Sequence, residues 1–251
     1  MSHFYKVNAK GDVRLLKSVT TPTQARKSNA LASVTTMLGC MPNDFLSGWM
    51  RKQIYDMATQ GMSFEECERR RYGMRRDVDG REVTSSEFGT AVHKALECHL
   101  ERMAQGDLSF NNGPYAMYVN GFANWFKESL YTLVAAESIC YCLRRKTAGT
   151  IDVLAKDAGG EYVLMDFKTR SVKVGKPEAK AYLKDCAQLA VEADIIKERE
   201  GLDYTPNIMS IVIAVEDGRT GIRRWTRDQQ EHALEVFDAC CNLYLTINKL
   251  K

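Results

Sequence analysis

No run of about 18 apolar residues occurs in the chain. A membrane-crossing helix needs that length, so no membrane span is predicted. The opening residues, MSHFYKVNAKGDVRLL, lack the apolar core of a secretory signal and do not read as a transit peptide. The eight cysteines, at 40, 67, 98, 140, 142, 186, 240 and 241, form no C-x-x-C pair. Two neighbouring pairs are too close in sequence for ordinary disulfides, so reduced thiols in a cytoplasmic protein are predicted. There is no internal repeat and no low-complexity linker, and nothing argues for a second domain. Charge of one sign is also scarce in excess. A formal net charge of +3 permits nucleic-acid binding, but a local basic patch would have to carry it. What is present is ordinary for a soluble globular protein: 251 residues, 45% hydrophobic and 27% charged, enough for one sizeable core.

The most informative stretch is 148–170, AGTIDVLAKDAGGEYVLMDFKTR. Two runs rich in Val, Ile, Tyr and Phe flank a turn on Gly159-Gly160, which predicts an antiparallel hairpin. Alternation places Thr150, Asp152 and Leu154 on one face, and Tyr162, Leu164, Asp166 and Lys168 on one face of the second strand. With a loop over 157–161, Asp152 falls opposite Asp166 and Thr150 opposite Lys168. Directly opposed Cβ atoms lie roughly 4.5–5.5 Å apart, where two carboxylates repel. A divalent cation between them reverses that term. Asp, Asp and Lys in one cluster suit phosphodiester hydrolysis: carboxylates for Mg²⁺ or Mn²⁺, and a lysine to orient water or to stabilise developing charge. A lone D-x-K on an edge strand is more often a solvated charged face. The G-x-x-D at 149–152, in matching parity, favours the functional alternative.

G-T-I-D followed by D-F-K-T resembles motifs II and III of the PD-(D/E)xK nuclease superfamily. The nearest likeness is to its RecB-like exonuclease branch, which includes phage exonucleases and the mitochondrial genome-maintenance exonuclease. The helix predicted over 85–103, SSEFGTAVHKALECHLERM, carries G-T-x-x-H-x-x-x-E, which resembles that branch's motif I, where the histidine binds metal. Gln188 to Glu192 resembles its Q-x-x-x-Y motif, with Gln188 in place and glutamate where the tyrosine would stand. S-V-T-T-M-L followed by L-x-x-W resembles the branch's opening segment.

Elsewhere, 4–16 reads as a hairpin and 18–30, with Pro22, as a loop. Ser33 is a candidate cap for a short helix, and Pro42-Asn43-Asp44 starts another, with Trp49 in the core. The most basic stretch, 62–81, holds Arg69, Arg70, Arg71, Arg75, Arg76 and Arg81. It is either a solvated face balanced by Glu65, Glu66 and Glu68, or a lid contacting DNA phosphates. Ser85 or Ser86 would cap the helix after it. A helix over 115–130 presents aromatic residues to the core, and a strand follows over 133–143. Glu137 on that strand is a candidate acid, because relatives often carry a glutamate there; it is as readily a surface residue. Arg144 and Arg145 precede the hairpin and either hold the scissile strand or merely charge a turn. Thr169 and Lys173 lie by a predicted DNA path. A helix over 177–200, a buried strand over 207–215 with a partner at 219–225, and a helix from Thr226 to about 250 complete the chain.

The expected fold is a single α/β domain, a mixed central sheet flanked by helices with a restriction-endonuclease-like core. Residues 1–84 would form an N-terminal extension with the basic segment, and 85–251 the nuclease core. The resemblance implies a metal-dependent DNA exonuclease acting in recombination, replication or repair. His93, Asp152, Asp166 and the Phe167 carbonyl would bind Mg²⁺ or Mn²⁺. Lys168 would position water, Glu137 would assist, and Gln188 and the arginines would hold DNA. Relatives with an iron–sulfur cluster carry a C-terminal cysteine trio that this chain lacks, so no cluster is expected. DNA is the implied partner, with a single-strand annealing or binding protein as a second, in a bacterial or phage-infected cell. A structure-selective endonuclease and a non-catalytic DNA-binding module are the alternatives.

Overall fold

The computed structural model describes residues 3–42, 44–71, 73–107, 112–172 and 180–250, without the side chains of 44–47 and 49. The predicted core position of Trp49 and the predicted DNA contact of Lys173 therefore lie outside the described residues. The chain divides into two compact units, one of 1–41 with 121–251, the other of 42–120. The division does not fall at 84/85: the first 41 residues belong with the main sheet, and 42–84 share a unit with the helix predicted over 85–103.

The first unit opens with the predicted hairpin, β1 (Phe4–Val7) and β2 (Val13–Leu15). The predicted loop that follows contains a helix instead, α1 (Pro22–Ser28). Thr21 and Gln24 form a capping box, Pro22 occupies the first turn, where its missing N–H costs nothing, and left-handed Asn29 closes the end. Next come β3 (Leu31–Ser33) and α2 (Val34–Met37), the short helix capped by Ser33 as predicted.

The second unit holds α3 (Asp44–Thr59), α4 (Phe64–Arg70), the two-stranded sheet of β4 (Met74–Arg76) and β5 (Glu82–Thr84), and α5 (Ser85–Ala104). The cap of α5 is Thr84, one residue before the predicted serines, because Thr84 and Glu87 can satisfy each other's backbone N–H groups. Phe88, Val92, Leu96 and Leu100 form its buried stripe.

Helix α6 (Ala116–Glu128) leads back into the first unit, followed by β6 (Thr132–Cys142), β7 (Thr147–Lys156), β8 (Tyr162–Arg170), α7 (Leu183–Glu200), β9 (Asn207–Ala214), β10 (Thr220–Arg224) and α8 (Arg227–Asn248). Helix α7 begins at Leu183, later than the predicted start near 177. Asp185 accepts a hydrogen bond from the Tyr182 N–H and fixes the first turn there.

These strands make one mixed sheet of order β10-β9-β8-β7-β3-β1-β2, with β6 also paired to β7. Strands β8 and β9 are parallel, as are β3 and β7; the other pairs are antiparallel. Helix α7 is buried on nearly all sides, including Leu189, Val191 and Ile196, with the sheet on one side and Phe237 and Tyr244 of α8 in the same core. Leu154 and Leu164, opposed across the hairpin, bury fully on this face, each contributing about 1.5–3 kcal/mol. On the other face, Phe167 meets Phe122 edge-on at 4.8 Å between ring centroids. Among the described residues no helix is long and apolar enough to cross a membrane.

Candidate active site

The hairpin register is the predicted one. Pairing runs from Lys156↔Tyr162 to Val153↔Met165, and the next step brings Asp152 level with Asp166. At that step the hairpin opens. Instead of extending the ladder, the Phe167 N–H donates to the Asp152 carboxylate at 2.7 Å. Strand β8 stays paired with β9 throughout, from Val163↔Asn207 to Arg170↔Ala214, while the start of β7 pairs with β3 at Thr147 and Ala148. Asp152 and Asp166 stand at the mouth of this fork.

One predicted alignment is corrected. Thr150 does not share a face with Leu154. Its hydroxyl lies 3.2 Å from that of Tyr5, on the face of the small Tyr5–Leu31–Ala148 cluster, whereas Leu154 belongs to the α7 core. The alternation of β7 therefore slips at Asp152. On β6, Ala136↔Val153 and Ser138↔Ile151 bracket Glu137 in unchanged register, and the Glu137 φ is +48°; the register shift of that strand lies earlier, between Leu133 and Ala135. Glu137 is thus level with Asp152 across β6 and β7, and it is exposed.

Asp166 is 2% exposed. The Lys168 ammonium donates to its Oδ1 at 2.7 Å and lies 2.6 Å from Oδ2, and Gln188 Nε2 donates to Oδ1 at 3.0 Å. Oδ2 is buried without a hydrogen bond of good geometry. Lys168 also donates to Gln188 Oε1 at 3.2 Å, and Gln188 Nε2 reaches Glu192 Oε1 at 3.3 Å. The side chains of Lys168, Gln188 and Glu192 thus close a polar cluster against Asp166. Gln188, expected to hold DNA, is buried and braces Asp166 and Lys168.

Burial raises the Asp152 carboxyl above its ordinary range, against the pull of Lys168. Burial pushes Asp166 up to about 6, opposed by Lys168 and reinforced by the charge of Asp152. Burial works against the Lys168 ammonium, but Asp166 and Asp152 outweigh it and leave Lys168 raised. Glu192, 1% exposed, is raised well above its ordinary value by burial and then by the two aspartates. Its membership in the cluster was missed in the sequence. The signal was there: an acid four residues after Gln188, on the same side of the helix.

Arg145 is corrected outright. It is buried, pairing with Asp194 and, at 2.7 Å, with Asp238, so it ties the β6–β7 turn to α7 and α8 and is not offered to a ligand. Arg144 beside it is exposed. Thr169 is half-buried on β8. In the second unit, Arg69 pairs with Glu66, Arg70 with Glu66 and Glu82, Arg71 with Glu68, and Arg81 with Asp77 and Asp79. Arg75 donates to the Ser85 hydroxyl at 3.1 Å, and Arg76 is exposed. His93 is half-buried on α5. At the start of α7, Arg170 binds Asp185 at 2.6 Å and stacks on the Tyr182 ring at 4.4 Å. Tyr182 is 52% exposed, and Lys180 and Lys184 beside it are exposed.

Among the described residues no three His, Cys, Asp or Glu side chains form a ready-made metal cluster. Mg²⁺ does not require one, since it is commonly held by one or two carboxylates plus water and phosphate. Buried carboxylate oxygens, one of them without a good hydrogen bond, fit such a hard cation.

No family model matches the chain, and no curated protein does. Among solved structures it is similar to one described as "Putative exonuclease" from Eubacterium rectale, with a TM-score of 0.46 and 12% identity over 94% of this chain and 87% of that one. A second, that of SSO0001, has a TM-score of 0.26 and 9% identity over 78% of this chain and 85% of that one.

Proposed function

We propose that the chain is a divalent-metal-dependent deoxyribonuclease, an exonuclease of the RecB-like kind. The observation that carries this reading is the Asp152–Asp166–Lys168 cluster at the fork of β7 and β8. A purely structural sheet has no use for two opposed carboxylates, one buried and one half-buried, each held above its ordinary range. Asp152, Asp166 and the Phe167 carbonyl would hold Mg²⁺ or Mn²⁺, with His93 included on sequence resemblance alone. When bound, the metal would polarise a phosphate and lower the pKa of water.

The chain's own residues have separable tasks. The Asp166 carboxylate and the Gln188 carbonyl fix the Lys168 ammonium on one side, and its remaining donor capacity can face a water or a phosphate oxygen. The Phe167 N–H holds the Asp152 carboxylate in place. Tyr182, backed by Arg170 and flanked by Lys180 and Lys184, offers a strand a ring face and phosphate-seeking charge. Glu137 assists from β6, level with Asp152.

The test is degradation of end-labelled single- and double-stranded DNA and of circular DNA, with Mg²⁺, Mn²⁺ or EDTA. Wild type would run beside Asp166→Asn and Lys168→Ala. Metal-dependent shortening of linear DNA, lost in both variants, supports the exonuclease. Cleavage of circles points to an endonuclease. DNA binding without cleavage of any substrate overturns the catalytic reading.

A further inference from the structure

Gly149 opens the G-x-x-D stretch, and its backbone is not left-handed. The reason for glycine there is space. A Cβ at 149 would lie 2.9 Å from Glu192 Oε1, with Val34 Cγ2 at 3.4 Å. The Glu192 carboxylate is thus seated against bare backbone of β7, three residues before Asp152. From that seat it accepts from Gln188 Nε2 at 3.3 Å, while the same amide donates to Asp166 and its carbonyl accepts from Lys168.

An amide side chain can turn over, exchanging its oxygen and nitrogen with little change in shape. Turned over, Gln188 would aim its oxygen at the Asp166 carboxylate and its NH₂ at the Lys168 ammonium, so both contacts would be repulsive. Those two partners leave one orientation, and in it Glu192 Oε1 accepts from the amide and holds it from the other side. We propose that Glu192 is a positioning residue: seated in the gap that Gly149 leaves, it fixes the Gln188 amide, and through it the placement of Lys168 on Asp166. The orientation itself is independent of the reaction; its consequence for hydrolysis rests on the nuclease reading above.

The Gly149–Glu192 contact supplies a second way to disturb the same carboxylate. Glu192 Oε1 is the far end of a flexible side chain, so Gly149→Ala displaces it at little cost to the strand. Wild type, Glu192→Ala, Gly149→Ala, the double variant and Glu192→Gln would be compared. The first readout is the Gln188 side-chain amide in ¹H–¹⁵N spectra, assigned by its loss in Gln188→Met. It requires neither metal nor activity. The amide signal is expected to move in Glu192→Ala and in Gly149→Ala, and Glu192→Gln, which keeps an acceptor oxygen, is expected to stay near wild type. The second readout is metal-dependent cleavage. We expect kcat to fall about tenfold or more in both single variants with KM little changed, the double variant to be no worse than Glu192→Ala, and Glu192→Gln to recover most of the rate.

An unmoved amide signal in Glu192→Ala overturns the proposal, as do losses that multiply in the double variant. Wild type without cleavage, but with the signal moving as stated, overturns the nuclease reading and leaves the positioning established.

Discussion

Glu137 stands level with Asp152 across β6 and β7, and its backbone is left-handed, with φ +48°. A left-handed non-glycine residue inside a strand costs about 1–3 kcal/mol and persists where the surroundings impose it. Glycine would relieve that strain but lose about 0.5–1 kcal/mol of its own through chain entropy. Glu137→Gly is therefore expected to raise folding stability by about 0–2.5 kcal/mol, the difference between these two effects. Metal-dependent cleavage is expected to drop tenfold or more. Urea unfolding beside a cleavage assay checks both, and unchanged cleavage would return Glu137 to the role of a surface bulge.

Asp166 makes the metal-free protein sensitive to pH. The folded chain keeps its proton up to about 6, whereas an ordinary aspartate releases it near 3.8. The folded state therefore binds more protons in that window, and stability falls as pH rises from below 3.8 to above about 6. Asp166→Asn removes the group. Without metal, the fall in unfolding temperature between pH 4 and pH 8 is expected to be smaller in Asp166→Asn than in wild type. At 100 times its Kd, Mg²⁺ or Mn²⁺ is expected to stabilise wild type by about 2.7 kcal/mol and to leave Asp166→Asn unaffected. Calorimetric unfolding with metal or EDTA decides this, and an unmoved wild type removes the metal from the proposal.

The hairpin register was legible because five turn residues around Gly159-Gly160 leave little choice of pairing. The face of Thr150 was not, because strict alternation cannot anticipate the change of face at Asp152, beside left-handed Glu137. Helix α1 was hidden behind Pro22, read as a breaker when it occupies a first turn. Gln188 and Glu192 stood out only against the Q-x-x-x-Y pattern, and because polar side chains on a helix are usually solvated, nothing in the chain announces that both are buried. Only the burial of α7 on nearly every side turns them toward β7 and β8. Arg145 misled for a related reason: a basic residue in a charged turn gives no sign that two aspartates from distant helices converge on it.

Arg145 leads to a prediction that separates architecture from binding. Its guanidinium is the buried member of the triad, while Asp194 and Asp238 keep partial access to water. Removing it strands no fully buried charge. Arg145→Ala is expected to cost roughly 1.5–3 kcal/mol, the scale of hydrogen bonds to charged groups. It should leave DNA affinity and its salt dependence as in wild type, whereas removal of a phosphate contact lowers the salt slope by about one. Denaturant unfolding and DNA titrations at several salt concentrations test the two halves separately.

Tyr182 offers the clearest handle on substrate form. Its ring is backed by Arg170, which Asp185 holds at 2.6 Å, so the ring is pre-set and half exposed. A base can stack on such a ring only when it has left its own duplex stack, so the contact should discriminate strand form. Stacking of one base on an aromatic side chain contributes about 1–3 kcal/mol, or roughly 5- to 150-fold in affinity. Tyr182→Ala is expected to weaken binding of single-stranded DNA within that range and to affect blunt duplex far less. Tyr182→Phe keeps the ring and should bind as wild type does. Fluorescence anisotropy with labelled single strands and blunt duplexes reads this directly. Equal weakening on both would mean that Tyr182 acts by packing Arg170 and not by receiving a base.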